Sequence, residues 1–249
     1  MICTIIYNQR SLSDFNVYID GSVTFGSPEK DYEFIAIPGR NGDLSIYNNR
    51  FKDVDVSIPC YIRHNFIKNY RDLIQYLNGV NGYQRFEISN DPDYFRKAVF
   101  LGAVDPNPGQ FNKTGHFSLN FRINPQRWLK SAEDMVDITD QYQVFNPTNM
   151  PAKPLFRFWG NGEIRVVDPE TSEYIGYVYI TNNAYPSYVD IDCETFDCYS
   201  ENNGAIVNRN EDITFNVDPV LKPGLNKVLF SVTNPGDKVL AIAPRFFMI

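Results

Sequence analysis

Histidine is scarce: the 249 residues contain two, His64 and His116. Neither stands in a recognisable motif. Nucleophilic catalysis needs a base set against a serine or cysteine, so no catalytic triad is expected. Cysteine is almost as sparse. Cys193 and Cys198 are separated by four residues, while Cys3 and Cys60 stand alone. A zinc site takes four soft ligands, usually as two close pairs, so no metal site is expected and the cysteines read as small buried residues with free thiols. No stretch of 18 or more apolar residues exists, which removes a membrane-spanning helix. The start, Met1-Ile2-Cys3-Thr4-Ile5-Ile6-Tyr7, carries too short an apolar stretch for a secretory signal, and the expectation is a reducing cytoplasm at synthesis.

Basic charge is also in deficit. Lys plus Arg number 23 against 30 Asp plus Glu, a formal net charge of −7. Such a body repels phosphate at long range, so stable nucleic-acid binding is not expected, although a weakly acidic wall would let DNA slide past. The glycine-bearing segment Pro38-Gly39-Arg40-Asn41-Gly42 lacks the lysine and the following helix of a phosphate-cradling loop. It reads as a tight hairpin with glycines supplying positive φ. Arg40 and Asn41 at its tip are candidates for contact with a neighbouring subunit.

What the chain does have is aromatic and turn-forming residues: 19 Phe, 16 Tyr, 15 Gly and 16 Pro. That mixture favours strands cut by turns. Residues 16–19, 32–37, 51–58, 83–88, 96–104 and 116–123 read as strands. In the last of these, Phe117, Leu119, Phe121 and Ile123 share one face, the period-two signature of a half-buried strand. One segment breaks the pattern. Phe66, Tyr70, Leu73, Ile74 and Leu77 form a helical stripe within 65–78, with Asn65 as N-cap and Gly79 as a left-handed stop. Beyond residue 150, strands follow at 155–158, 163–167, 174–180, 188–191, 212–217 and 227–233 with no further helical stripe, which implies an antiparallel sandwich. The expected division is 1–140 and 141–249. The last strand, ending at Ile249, is free to pack on the second body or return to the first.

Two further groups invite chemistry. Asp190, Asp192 and Glu194 alternate along one strand. A calcium site or a glycosidase pair such as Asp192 and Glu194 is one reading, and the solvent face of an edge strand, where like charges discourage aggregation, is the preferred one. Trp128 and Trp159 read as core residues. Trp159 with Tyr185 and Tyr188 would otherwise offer ring faces to a sugar.

Four signals recur in a fixed order: Pro38-Gly39-Arg40-Asn41-Gly42-Asp43-Leu44, Asn90-Asp91-Pro92, Asn146-Pro147 leading into Phe158-Trp159-Gly160-Asn161-Gly162, and Leu221-Lys222-Pro223-Gly224-Leu225-Asn226. Val189-Asp190-Ile191-Asp192-Cys193-Glu194 and the closing Pro244-Arg245-Phe246-Phe247 add to them. In this order and spacing the sequence resembles the distal tail protein (Dit) family of long-tailed phages along nearly its full length. The resemblance implies a mainly β chain: an N-terminal β-barrel or sandwich ring domain with one α-helix, and a C-terminal galectin-like antiparallel β-sandwich. It implies a homo-hexameric ring at the virion tail tip, assembled in the host cytoplasm, that joins the tail tube protein to a tail-associated lysin or fibre protein and a receptor-binding protein while DNA passes through. It implies no catalytic residues and no cofactor. A carbohydrate-binding module that recognises host wall polysaccharide is the alternative.

Overall fold

The computed structural model describes residues 3–109, 112–183, 187–233 and 239–249. The chain divides between residues 127 and 128 into two compact units. It is mainly β, with one α-helix and antiparallel sheets.

The first unit is organised by its two longest strands. Val54–Ile62 pairs with Gly115–Ile123 so that Phe117 meets Cys60, Leu119 meets Ile58 and Phe121 meets Val56. The alternation expected from the sequence is realised: Phe117, Leu119, Phe121 and Ile123 are buried, whereas His116, Ser118 and Arg122 are exposed. Outward along the sheet, Gly115–Ile123 pairs with Tyr94–Phe100, then come Gln84–Ile88 and Ile5–Tyr7, while Val17–Ile19 lies beside Val54–Ile62. The helix Phe66–Asn78 buries Phe66, Leu73 and Leu77 in this core.

The ends of the helix differ from expectation. Asn65 takes a left-handed backbone (φ 48°) and its side chain makes no cap. Instead the Ile67 N–H donates to Oδ1 of Asn112 at 2.6 Å, so an asparagine 45 residues away satisfies a free amide of the first turn. Gly79 closes the helix in the right-handed region (φ −79°). The left-handed residue is Gly82, three positions later (φ 69°).

The second unit is a sandwich of two antiparallel sheets. One runs Val136–Ile138, Leu240–Ala243, Leu155–Trp159, Tyr188–Asp192, Asp197–Asn202 and Ala205–Asn208. The other runs Tyr142–Asn146, Gly224–Val232, Gly162–Val167, Tyr174–Ile180 and Ile213–Val217. Phe156, Phe158, Val189, Ile191 and Ile242 from the first sheet pack with Ile164, Val166, Val178 and Val228 from the second, all fully buried. Val136–Ile138 pairs with Leu240–Ala243, so residues 128–140 belong to this unit and the division falls earlier than the position near 140 read from the sequence. Composition there is mixed and carries no boundary signal; the strand pairing decides it. Leu240–Ala243 lies in this unit between Val136–Ile138 and Leu155–Trp159, whereas the terminal strand, Phe247–Met248, pairs with Arg127–Leu129 and with neither sheet of the sandwich.

Candidate functional site

Most of the motifs singled out in the sequence are used up inside the fold. Asp91 of Asn90-Asp91-Pro92 accepts two bonds from Nη2 of Arg127 at 2.8 Å, and the same guanidinium stacks 3.8 Å from the Tyr94 ring centroid. Asn146 is 1% exposed and donates through Nδ2 to the Met150 and Leu221 carbonyls. Asn226, fully buried, closes the Pro223-Gly224 turn by accepting from the Lys222 N–H and donating to the Lys222 carbonyl. In Gly160-Asn161-Gly162, a Cβ on Gly162 would stand 1.9 Å from the Ser231 carbonyl oxygen, so only glycine lets the two strands meet there. Arg245 of the closing segment donates to Oδ1 of Asp192 at 2.8 Å, joining two of the motifs to each other. These residues build a scaffold.

The carboxylates are part of it. Tyr188–Asp192 is an interior strand, between Leu155–Trp159 and Asp197–Asn202, which corrects the edge-strand reading. Asp190 is 5% exposed and receives Nε and Nη2 of Arg157 at 2.7 and 2.8 Å. Asp192 holds Arg245, and Glu194 is exposed beyond the strand end. Asp190 and Asp192 are thus each bound to an arginine, while Glu194, the partner of Asp192 in the glycosidase reading, lies apart from both pairs. Arg157 comes from the neighbouring strand Leu155–Trp159 and Arg245 from the segment after Leu240–Ala243, which residue spacing along one strand cannot reveal.

The remaining reactive groups are equally committed. Burial pushes the Cys60 and Cys198 thiols up to about 12 and raises that of Cys193 further. His116 faces solvent with Nδ1 3.0 Å from Oδ2 of Asp20. Among the described residues no group of three His, Cys, Asp or Glu is placed to hold a metal, and no helix is long and apolar enough to cross a membrane. Trp128 is buried against Phe247, ring centroids 5.0 Å apart. Trp159 departs from expectation. Phe156 and Phe158 take the core positions, and Trp159 lies on the opposite face of the strand, half-buried, edge-on to Tyr188 at 5.6 Å. Tyr185 lies outside the described residues.

One motif is not used inside the fold. Among the described residues, Lys30–Ile35 and Leu44–Phe51 pair only with each other, as a two-stranded sheet. At its tip Gly39 and Gly42 adopt φ of 78° and 81°, and the Arg40 N–H returns to the Ile37 carbonyl, the tight turn read from the sequence. Arg40 and Asn41 sit on that tip, exposed. The base is pinned: Arg50 Nε donates to Oδ2 of Asp31 at 2.6 Å, and this bond, ahead of all other influences, holds the Asp31 carboxyl below its ordinary range.

The arm between base and tip is unusual in both its faces. Pairing places Tyr32 opposite Tyr47 and Phe34 opposite Ser45 on one face, and Glu33 opposite Ile46 on the other, with Ile35 opposite Leu44 at the same end. The first face is aromatic, with Tyr32 and Tyr47 rings 4.9 Å apart and Tyr32 stacked on Phe34 at 5.9 Å. The second is aliphatic. Every residue from 32 to 46 is exposed, Phe34 to 65%. A strand of ordinary alternation hides one face; this hairpin hides neither. Leu, Ile and Phe side chains left in water forgo about 1.5–3 kcal/mol each relative to full burial. Such a double-sided apolar arm marks a surface that another molecule covers. The sequence held the signal: Tyr32 and Phe34 occupy one parity and Ile35 and Ile37 the other.

No family model matches the sequence, and no curated protein matches it. Solved structures do match. The Dit protein of SPP1, described as a paradigm of the hub adsorption apparatus in phages that infect Gram-positive bacteria, aligns with a TM-score of 0.63 at 14% identity, over 97% of each chain. The chain has the fold of a Dit protein. A chain of the phage P2 baseplate in its activated conformation with Ca aligns with a TM-score of 0.59 at 7% identity, over 97% of this chain and 96% of that one. The corresponding structure with Sr gives 0.56 at 7% identity over 97% of each. At these identities the side chains have diverged while the Dit fold persists.

Proposed function

We propose that this chain is a structural hub of a phage or prophage tail tip and has no catalytic role. In this reading it forms a hexameric ring that connects the tail tube to a tail-associated lysin or fibre protein and to receptor-binding proteins, and lets DNA pass. The ring assembles in the host cytoplasm and resides in the virion. The observation that carries the reading is the hairpin 30–51, an arm apolar on both faces, projecting from a chain with the Dit fold. Closed rings use heterologous contacts in which one patch meets a different patch on the next copy, and an extended arm is suited to that. The commitment of Asp190, Asp192 and the buried cysteines to structure fits a protein without chemistry to perform. Mass photometry and negative-stain images of the purified chain, alone and with tube and fibre proteins, test it. Rings of about six copies are expected; a chain that stays monomeric beside those partners refutes it.

A second reading has one observation in its favour. Trp159 and Tyr188 share the outer face of the six-stranded sheet, with Arg157 stacked 3.9 Å from the Tyr188 ring centroid. An aromatic pair beside a charged group suits a carbohydrate of a host wall. Calorimetry with wall polysaccharide decides it, and absence of heat at millimolar sugar removes it.

A further inference from the structure

The hairpin needs a receiver, and a heterologous ring requires that receiver to lie elsewhere on the same chain. The first unit offers one. The helix Phe66–Asn78 turns Phe66, Leu73 and Leu77 to the core. Yet it also carries Ile67 and Ile74, one seven-residue repeat apart on a different face, and Ile67 is 52% exposed. Together with Tyr70, Arg71, Pro106 and Pro108 these line an open groove of about 580 Å³ whose exposed surface is mostly apolar, with Arg71, Gln75 and Asn78 as its polar side chains. A surface helix with apolar residues outside its core stripe is a helix with an unfilled partner position.

We infer that this groove receives the hairpin of the neighbouring copy, a deepening that rests on the ring reading above. Three features select that occupant. The chain's own hairpin does not fill the groove, since residues 32–46 are all exposed. The aliphatic face of the arm presents branched side chains, Ile35, Leu44 and Ile46, matched to a groove of isoleucine and proline. Glu33, paired opposite Ile46 on that face, supplies the carboxylate that Arg71 at the groove can meet. Reach is adequate, because six residues of strand from Tyr32 to the turn extend about 20 Å. With its aliphatic face in the groove, the aromatic face of the arm is left for the body of the same neighbour.

The test uses complementation between two variants of the full chain. The arm variant carries Ile35→Asp and Ile46→Asp, both on the aliphatic face. The groove variant carries Ile67→Asp and Pro106→Asp, exposed positions in each case, with thermal melts by circular dichroism to show that both remain folded. Wild type is expected to form rings and each variant alone to lose them. In an equimolar mixture the intact arm of one variant enters the intact groove of the other, and assembly stops at a dimer containing one of each. Rings retained by the groove variant but lost by the arm variant overturn the groove and leave the ring reading standing. A mixture that stays monomeric overturns the groove as well. A wild type that never assembles overturns both readings.

Discussion

At the scale of single residues, this molecule spends its chemically capable groups on structure. Arg157 and Asp190 form a two-bond pair with the carboxylate almost out of water, Arg245 ties Asp192, and Arg127 ties Asp91. Three of the four thiols are buried. Burial raises Cys60 and Cys198 to about 12, so little reactive thiolate forms on either at pH 8. Folded protein treated with a thiol reagent should therefore modify Cys3 alone on the minute timescale, and denaturant should expose the other three. Early labelling of Cys193 would contradict the burial described. Gly162 gives a sharper case. Its substitution by alanine drives a methyl group into the Ser231 carbonyl and should lower stability by about 2–3 kcal/mol, read as a shift in the denaturant midpoint. The type of these residues was readable in advance but not their partners: Asp190 and Arg157 are 33 positions apart, and only the pairing of their strands makes them neighbours.

Among the elements, the strands with clean alternation and the helix were legible, because periodicity reports directly which side meets a core. The helix ends were not. Asn65 has the right chemistry for a cap, yet Asn112 performs that task from a distant loop. Tyr188–Asp192 was misread as an edge, since acidic residues look alike whether they face water or arginine. The hairpin was found but its exposure was not anticipated, as an apolar strand is ordinarily half hidden. Its base responds to acid in a defined direction. The Asp31 carboxyl is held below its ordinary value of 3.8 by Arg50, so the clamp contributes fully at neutral pH and is lost as pH falls through and below that value. Asp31→Asn should accordingly speed hydrogen exchange in residues 30–51 at pH 7. The variant and wild type should converge near pH 2. Exchange that is equal at both pH values would show that the clamp does not order the arm.

For the molecule as a whole, two units with separate cores divide the work, one carrying the arm and the helix, the other a sandwich. From the sequence, the mixed composition of residues 128–149 placed a boundary near 140, whereas the compact units meet between residues 127 and 128, where strand pairing and not composition decides. Residues 128–248 keep both sheets and a closed core, so this segment expressed alone should fold cooperatively and melt as one transition. A molten, dye-binding product would show that the sandwich depends on the first unit.

That sandwich begins and finishes on adjacent strands, Val136–Ile138 lying directly against Leu240–Ala243. Entry and exit of its chain thus emerge side by side, like the two prongs of a plug. A module wired in this way can be exchanged as a block without lengthening or rerouting the chain that leads into it.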